Sequence, residues 1–413
     1  MPAPALSPWR VVLGFGFVSL AVDMVSDGGR SLAGPLLGQL GATALLVGLV
    51  TGAGEAIAQG LRLVSGPWAD RTRAYWRFTL AGYALTAASI PLLALSPFAG
   101  AAGLWLASCL ILADRTGKAV RSPAKTVLLA DAAAAVGRGR GFAVHKSLDQ
   151  LGAFLGPLLA AGVVAATSSL WPALAVLAVP GAAAVVLLLW LRRRVPDPGA
   201  SDAGASGAGA SGPVRATPFG TPEDAPAPAG APRRLPAPFY LFAAAALAAS
   251  AGLVTFGLIS FHLTEAGLVP LAAVPLVYAG AMAAAALAAL ASGAVYDKRG
   301  GAVLLAVPFL VALVPGLSLA DRLPLVLAGV AAWGAAVGIL DSTAKALVAD
   351  LVPAGRRGTA YGIFAAFEGA GALAAGLLAG ALYGDRAALA GIVAALQVAG
   401  LALLLAGLRS QRR

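Results

Sequence analysis

Apolar stretches of membrane-crossing length follow one another along almost the whole chain, separated by short charged connections. A hydrocarbon core is about 30 Å thick and takes roughly 20 apolar helical residues to cross. Inside it each segment must satisfy its own backbone hydrogen bonds. An all-α membrane protein is the expected fold class. Breaking the chain at Pro, Gly and charge clusters predicts twelve spans, at 11–40, 42–64, 78–95, 99–119, 141–166, 172–191, 238–263, 269–295, 303–320, 325–348, 359–382 and 387–408. Of the 413 residues only 11% are charged, under half the roughly 25% of a soluble domain. Water is the wrong solvent for most of this surface.

The net charge of +11 would point to nucleic acid in a soluble chain, but its distribution points to a bilayer. Arg10, Arg71, Arg73, Arg77, Arg138, Arg140, Arg192, Arg193, Arg194, Arg233, Arg234, Lys298, Arg299, Arg356, Arg357, Arg409, Arg412 and Arg413 lie at the termini and in alternate connections. The intervening connections hold Arg322 and Arg386, each beside an aspartate. Lys and Arg are retained in cytoplasmic loops, so both termini are expected inside a bacterial cytoplasmic membrane. No cleavable signal peptide is evident, and the first apolar stretch reads as the first span. Residues 195–236, rich in Ala, Gly, Pro and Ser, are expected to form a disordered cytoplasmic linker. It separates a six-helix bundle at 1–194 from a second at 237–413. The one cysteine, Cys109, excludes an intrachain disulfide or Cys-rich metal site.

The two halves echo one another. Gly66 and Asp70-Arg71 follow the second span as Gly293 and Asp297-Lys298 follow the eighth. Ala124-Lys125 with Arg140-Gly141 matches Ala344-Lys345 with Arg357-Gly358. Such pairs in register indicate parallel repeats related by a pseudo-twofold axis. Along the whole chain these residues resemble the major facilitator superfamily. Its signature loop between spans two and three is matched by Gly66, Asp70 and Arg71, with Arg73 and Arg77 as trailing bases; Arg73 stands where the pattern has a glycine, which the second copy keeps as Gly300. In that family the loop ties cytoplasmic helix ends together. The first half is similar to one prokaryotic branch through Asp114-Arg115, Gly117-Lys118, Arg121 and Pro123 in span four. Gly141, Asp149, Gly152, Gly156 and Pro157 continue the likeness in span five. Asp27-Gly-Gly-Arg30 occupies the place where this branch usually has a carboxylate shortly after two serines. The resemblance implies a bilobed transporter with no cofactor; members of the branch are mostly presumed permeases or exporters.

A charge at a helix centre costs about 2.5–3.5 kcal/mol on insertion scales, so these side chains need a partner or an aqueous path. Asp23, Asp27 and Arg30 share one face of span one, as Glu55, Gln59 and Arg62 do in span two. Asp114, Lys118, Arg121 and Lys125 form one stripe of span four with Arg115 alongside, and His145 and Asp149 align in span five. Asp23, Asp27, Arg30, Glu55, Asp114, Arg115, Lys118 and Asp149 are expected to line a substrate and proton path. Arg121, Lys125, Asp341, Lys345 and Glu368 read as gate residues, or as ion pairs tying helices together. Gly66, Asp70, Arg71, Gly293 and Asp297 belong to the loop motifs. Gly152, Gly156 and Pro157 serve close packing and bending, and resemble the family's antiporter motif. His145 reads as a satisfied interior histidine and His262, near Glu265, as interfacial. With few charges in the second half, chemistry should concentrate on the first.

No phosphate-cradling Gly-x-x-x-x-Gly-Lys loop and no metal-binding His-Glu-x-x-His motif occurs, so neither ATP nor hydrolytic chemistry is expected. The chain reads as a secondary transporter and not an enzyme, with a small solute and protons as partners, acting as a monomer. Proton-coupled efflux is the leading expectation. An importer of a metabolite or metal chelate, or a sensor or scaffold that keeps the fold, are the alternatives. Arg30, Arg115 and Lys118 would hold an anionic or zwitterionic solute unless neighbouring carboxylates neutralise them.

Overall fold

The computed structural model describes residues 6–195, 235–353 and 356–410. Among them every regular element is helical. The first half holds α1 (Pro8–Gln39), α2 (Ala44–Gly60), α3 (Arg62–Thr72), α4 (Tyr75–Leu92), α5 (Gly103–Val136), α6 (Arg138–Thr167), α7 (Leu170–Val176) and α8 (Ala178–Arg192). The second holds α9 (Ala237–Gly252), α10 (Phe256–Glu265), α11 (Val274–Arg299), α12 (Ala306–Ser318), α13 (Leu323–Ile339), α14 (Lys345–Leu351), α15 (Arg357–Ala381) and α16 (Arg386–Ser410). Among the described residues ten segments are long and apolar enough to cross a membrane. One of them, Leu271–Ser318, contains both α11 and α12, and the charge-rich α5 is not among the ten. The expected linker at 195–236 lies almost wholly outside the described residues.

Large apolar side chains face outward, among them Trp105 at 71% exposure and Leu290 at 75%. Scattered exposed leucines are normal on any protein, but with membrane-length helices behind them they make a lipid-facing perimeter. Inward, the halves repeat one packing plan. In the first, α1 lies against α6 and α8, α5 against α2 and α4, and α4 against α8. In the second, α9 lies against α15 and α16, α13 against α11 and α12, and α12 against α16. Span for span these are the same five pairings, as a pseudo-twofold axis requires. Between the halves α15 runs along α2, α10 packs on α1, and α11 on α6.

Close approach comes from small residues. A Cβ added to Gly152 would lie 2.8 Å from Leu20 Cα, and one at Gly156 2.7 Å from Met24 Cα. The i, i+4 pair on α6 thus seats on an i, i+4 pair of α1. Gly48 and Gly376 make a comparable backbone contact between α2 and α15.

The structure departs from the sequence expectations in several places. The span expected at 99–119 runs on as α5 to Val136, since Asp114, Arg115 and Arg121 are at most 5% exposed and turned inward. The span at 238–263 is broken: α9 stops at Gly252, and Thr255 starts α10 afresh by capping Leu258 N. The span at 325–348 contains a π-helical turn, Leu340–Ala344. In the first signature loop Arg73 itself takes the left-handed conformation, φ 50°, that glycine usually supplies; Gly300 has φ 57°. His262 is fully buried, bonded through Nδ1 to Tyr383 Oη at 2.8 Å and through Nε2 to the Ala320 carbonyl at 3.0 Å, so it is not interfacial. Arg386 pairs with Asp321 at 2.7 Å, not with its neighbour, and holds that carboxyl below its usual range; Asp385 caps α16 at Ala388 N.

Candidate functional site

The pairing of halves leaves a central cavity of about 810 Å³, inside the 300–1,000 Å³ of small-molecule sites. Its lining includes Asp23, Asp27, Arg30, Glu55, Asp114, Arg115, Lys118 and Asp149, together with Arg121, Lys125, Asp341, Lys345 and Glu368. Gly66, Asp70, Arg71, Gly152, Gly156, Pro157, Gly293 and Asp297 are not in the lining. Gly66 faces Pro123 of α5, and Gly152 and Gly156 face α1. Twelve of the charged lining side chains come from the first half and three from the second.

The cavity opens toward one end. Gly139, Lys146, Gln150 and Lys345, at the end carrying the Arg-rich connections, line it and are exposed. At the other end the halves touch. Thr51 Oγ1 and Thr255 Oγ1 share a hydrogen bond of 2.8 Å, and Gly34 of α1 packs on Gly257 and Ser260 of α10.

At mid-depth the first-half charges form one network. Glu55 bonds Arg30 and lies 3.7 Å from Arg115 Nη1. Arg115 Nε reaches Asp114 Oδ2 at 3.3 Å, and Ser26 donates to both oxygens of Asp114. The fixed guanidinium fork of arginine lets Arg115 serve two carboxylates from one buried position. Asp27 accepts from Tyr278 Oη at 2.6 Å, and this bond joins α1 to α11 across the halves. In water such pairs would contribute little. In a bilayer they make the charges tolerable.

Nearer the open end, Arg121 lies 3.7 Å from Asp23, donates to Thr86 at 2.7 Å and sits 4.9 Å over the Tyr83 ring. Lys125 donates to Ser19 at 3.1 Å, and Lys146 pairs with Asp149 at 2.7 Å. His145 is only half satisfied: Nε2 meets Ser19 Oγ at 3.4 Å, while Nδ1 has no hydrogen-bond partner among the described residues. The expectation of a fully satisfied histidine therefore fails. Among the described residues no three His, Cys, Asp or Glu side chains gather as a metal site.

Sequence reasoning named Asp341, Lys345 and Glu368 in the second half but missed its aromatic contribution. Tyr278, Phe256 and Trp333 line the cavity, with Phe256 4.6 Å from Tyr278 and 5.8 Å from Trp333 between ring centroids. The break before α10 places Leu253, Val254, Thr255, Phe256 and Gly257 in the same wall. A hydroxyl tip on Tyr278 within an Ala-rich apolar span was the available signal.

Comparison with known proteins agrees with this architecture. The family model described as Major Facilitator Superfamily matches residues 16–320. An uncharacterised protein of Mycobacterium tuberculosis is 48% identical over 381 residues, 92% of this chain and 88% of that one. An MFS-type transporter of Methanocaldococcus jannaschii is 29% identical over 145 residues, 35% of each chain. Among solved structures, the nucleoside transporter NupG superposes with a TM-score of 0.68 at 14% identity, covering 96% of this chain and 99% of its own. A POT family transporter in complex with a thioalcohol-conjugated peptide gives 0.68 at 14%, covering 98% and 96%. At such identities the likeness concerns the fold. Family match, membrane-length helices and paired halves lead to one conclusion: this chain is a multi-pass membrane protein of the Major Facilitator Superfamily, whose fold implies secondary transport of a solute.

Proposed function

We propose that the chain is a proton-coupled exporter of a small solute, working as a monomer by alternating access in the cytoplasmic membrane with both termini inside. Twelve crossings, six in each half, account for the alternate placement of the basic connections. They require counting α5 as a crossing and dividing Leu271–Ser318 into two. Bundles at 1–194 and 237–413, joined through 195–236, would then rock about the central cavity.

The observation that carries this reading is the cavity itself: seven acidic and eight basic side chains around one space, open at one end and sealed at the other by contacts between halves. Charges that break and reform pairs bias two such states. Of the carboxylates considered for proton uptake, Asp23, Asp27 and Glu55, Asp27 is best placed to couple it to movement. Its Tyr278 partner belongs to the opposite half, so a change of charge on Asp27 acts on a contact that alternating access must break. One charge crossing about 150 mV supplies roughly 3.5 kcal/mol, enough for a solute gradient of about 300-fold.

The test is solute flux in proteoliposomes under an imposed pH gradient. Asp27→Asn is expected to abolish the dependence on that gradient, and Tyr278→Phe to slow flux without removing it. Flux indifferent to the gradient in the wild-type chain, or unchanged coupling in Asp27→Asn, refutes the proton-coupled mechanism. Accumulation in the opposite direction identifies an importer.

A further inference from the structure

We propose that the cavity takes an amphipathic organic anion, a flat aromatic body bearing one carboxylate, with the carboxylate at Lys118 and the body against Tyr278, Phe256 and Trp333. The substrate class deepens the transporter reading and rests on it, although the binding site itself does not.

Charge comes first. Basic side chains in the lining outnumber acidic ones by eight to seven, and the carboxylates around Lys118 are already engaged. Glu55 is held by Arg30 and Arg115, Asp114 by Arg115 and Ser26, Asp27 by Tyr278, and Asp23 by Arg121. Lys118 itself lies in the field of Asp27 and Asp23, which attract its charge, and of Arg115 and Arg30, which repel it. None of the ion pairs within 4.0 Å among the described residues involves Lys118. Arg62, whose Nε has no hydrogen-bond partner among the described residues, has Glu368 and Asp341 facing it, and Arg115 Nη1 has Glu55 at 3.7 Å. Lys118 is thus a half-buried ammonium on the cavity wall, short of the direct carboxylate partner that membrane-buried charges normally have.

The second observation concerns shape. Phe256 stands edge-on to Tyr278 at 4.6 Å and 5.8 Å from Trp333, so three rings that all border the cavity form one contiguous cluster. It meets the charged network through Tyr278, whose hydroxyl bonds Asp27. Thr255, the N-cap of α10, and Phe256 and Gly257 of its first turn line the same space, and a helix N-terminus favours negative charge. A small inorganic anion would leave the aromatic wall wet. A cation would meet excess like charge, and a neutral ring would leave Lys118 without a partner. A polar head and an apolar body on adjoining walls satisfy both surfaces.

Four matched probes separate these cases on the full chain in lipid nanodiscs, by titration calorimetry: indole-3-acetate, tryptamine, indole-3-ethanol and acetate. Indole-3-acetate is expected to bind at least about tenfold more tightly than the other three. Lys118→Gln should weaken it at least about tenfold and Lys118→Arg by no more than about threefold, since the charge remains. Trp333→Leu should weaken indole-3-acetate without creating a preference for acetate. Thermal unfolding of each variant identifies any that fail to fold, and Lys118 and Trp333 are independent arms. Equal or tighter binding of tryptamine or indole-3-ethanol overturns the proposal. So does an unchanged affinity in folded Lys118→Gln, or no binding of indole-3-acetate by the folded wild-type chain. Labelled probe in proteoliposomes keeps the two readings apart: binding without flux sinks the transporter and leaves this site, whereas flux of tryptamine alone does the reverse.

Discussion

Arg73 shows how a single residue carries the cost of a turn. The chain must reverse between α3 and α4, and the reversal uses a left-handed residue, φ 50° and ψ 20°. Glycine adopts this conformation with no Cβ penalty, whereas an L side chain meets its own following carbonyl. Arg73→Gly is therefore expected to stabilise the full chain by about 0.5–1 kcal/mol, read as a higher midpoint of thermal unfolding in detergent. Arg73→Ala removes the same charge but keeps the strain, so it should show no gain. Equal effects of the two would assign the change to charge. The sequence showed the anomaly plainly, because Gly300 stands at the matching position of the second copy. It also showed the buried charges, since a carboxylate inside an apolar span is conspicuous. Tyr278 and Thr255 were not legible in the same way: a hydroxyl costs far less to bury than an ion, so in an apolar span it is a much weaker sign of a cavity than a charge is.

Elements were legible where hydropathy alone decides them and illegible where the backbone departs from a straight helix. Each predicted span corresponds to helix in the structure, yet the break at residues 253–255 and the π-helical turn at Leu340–Ala344 left no hydropathy signature. Both interruptions bring residues to the cavity, Thr255 at one and Asp341 at the other. Irregular backbone at membrane depth is tolerated where it is buried in protein or lines such a space. Close helix packing was readable as small residues at i and i+4, but which neighbour they serve was not. Gly156 seats on Met24 and leaves no room for a methyl, whereas nothing lies within 4 Å of a Cβ at Gly162 in the same helix. Gly156→Ala should cost about 1–3 kcal/mol by overpacking, while Gly162→Ala should be neutral or gain up to about 1 kcal/mol from helix propensity. Unfolding midpoints of the two variants in detergent provide the comparison. Similar values would mean that α1 and α6 do not pack as described.

At the scale of the whole molecule, one face of the contact between halves must open if the cavity is to reach the other side. The sealing contacts pair α1 with α10 and α2 with α10 and α15, and the Thr51–Thr255 hydrogen bond of 2.8 Å places two β-carbons near the range a disulfide spans. Thr51→Cys with Thr255→Cys, in a Cys109→Ser background, should therefore crosslink readily on oxidation. Such a bond holds the sealed end shut and leaves the opposite end free, so the two activities of a carrier should separate. Solute flux across proteoliposomes is expected to fall to the background of empty vesicles and return on reduction. A ligand supplied from the open end should still bind with its affinity within about threefold, because the crosslink replaces two lining threonines at the seal and leaves Lys118, Tyr278, Phe256 and Trp333 in place. Full flux in the oxidised, fully crosslinked protein would show that this contact is not the outer gate. Loss of binding together with flux would show that the cavity itself depends on motion at the seal. Only flux loss with retained binding follows from two rigid halves sharing a central site, since in that arrangement the seal controls passage and the charged network controls capture.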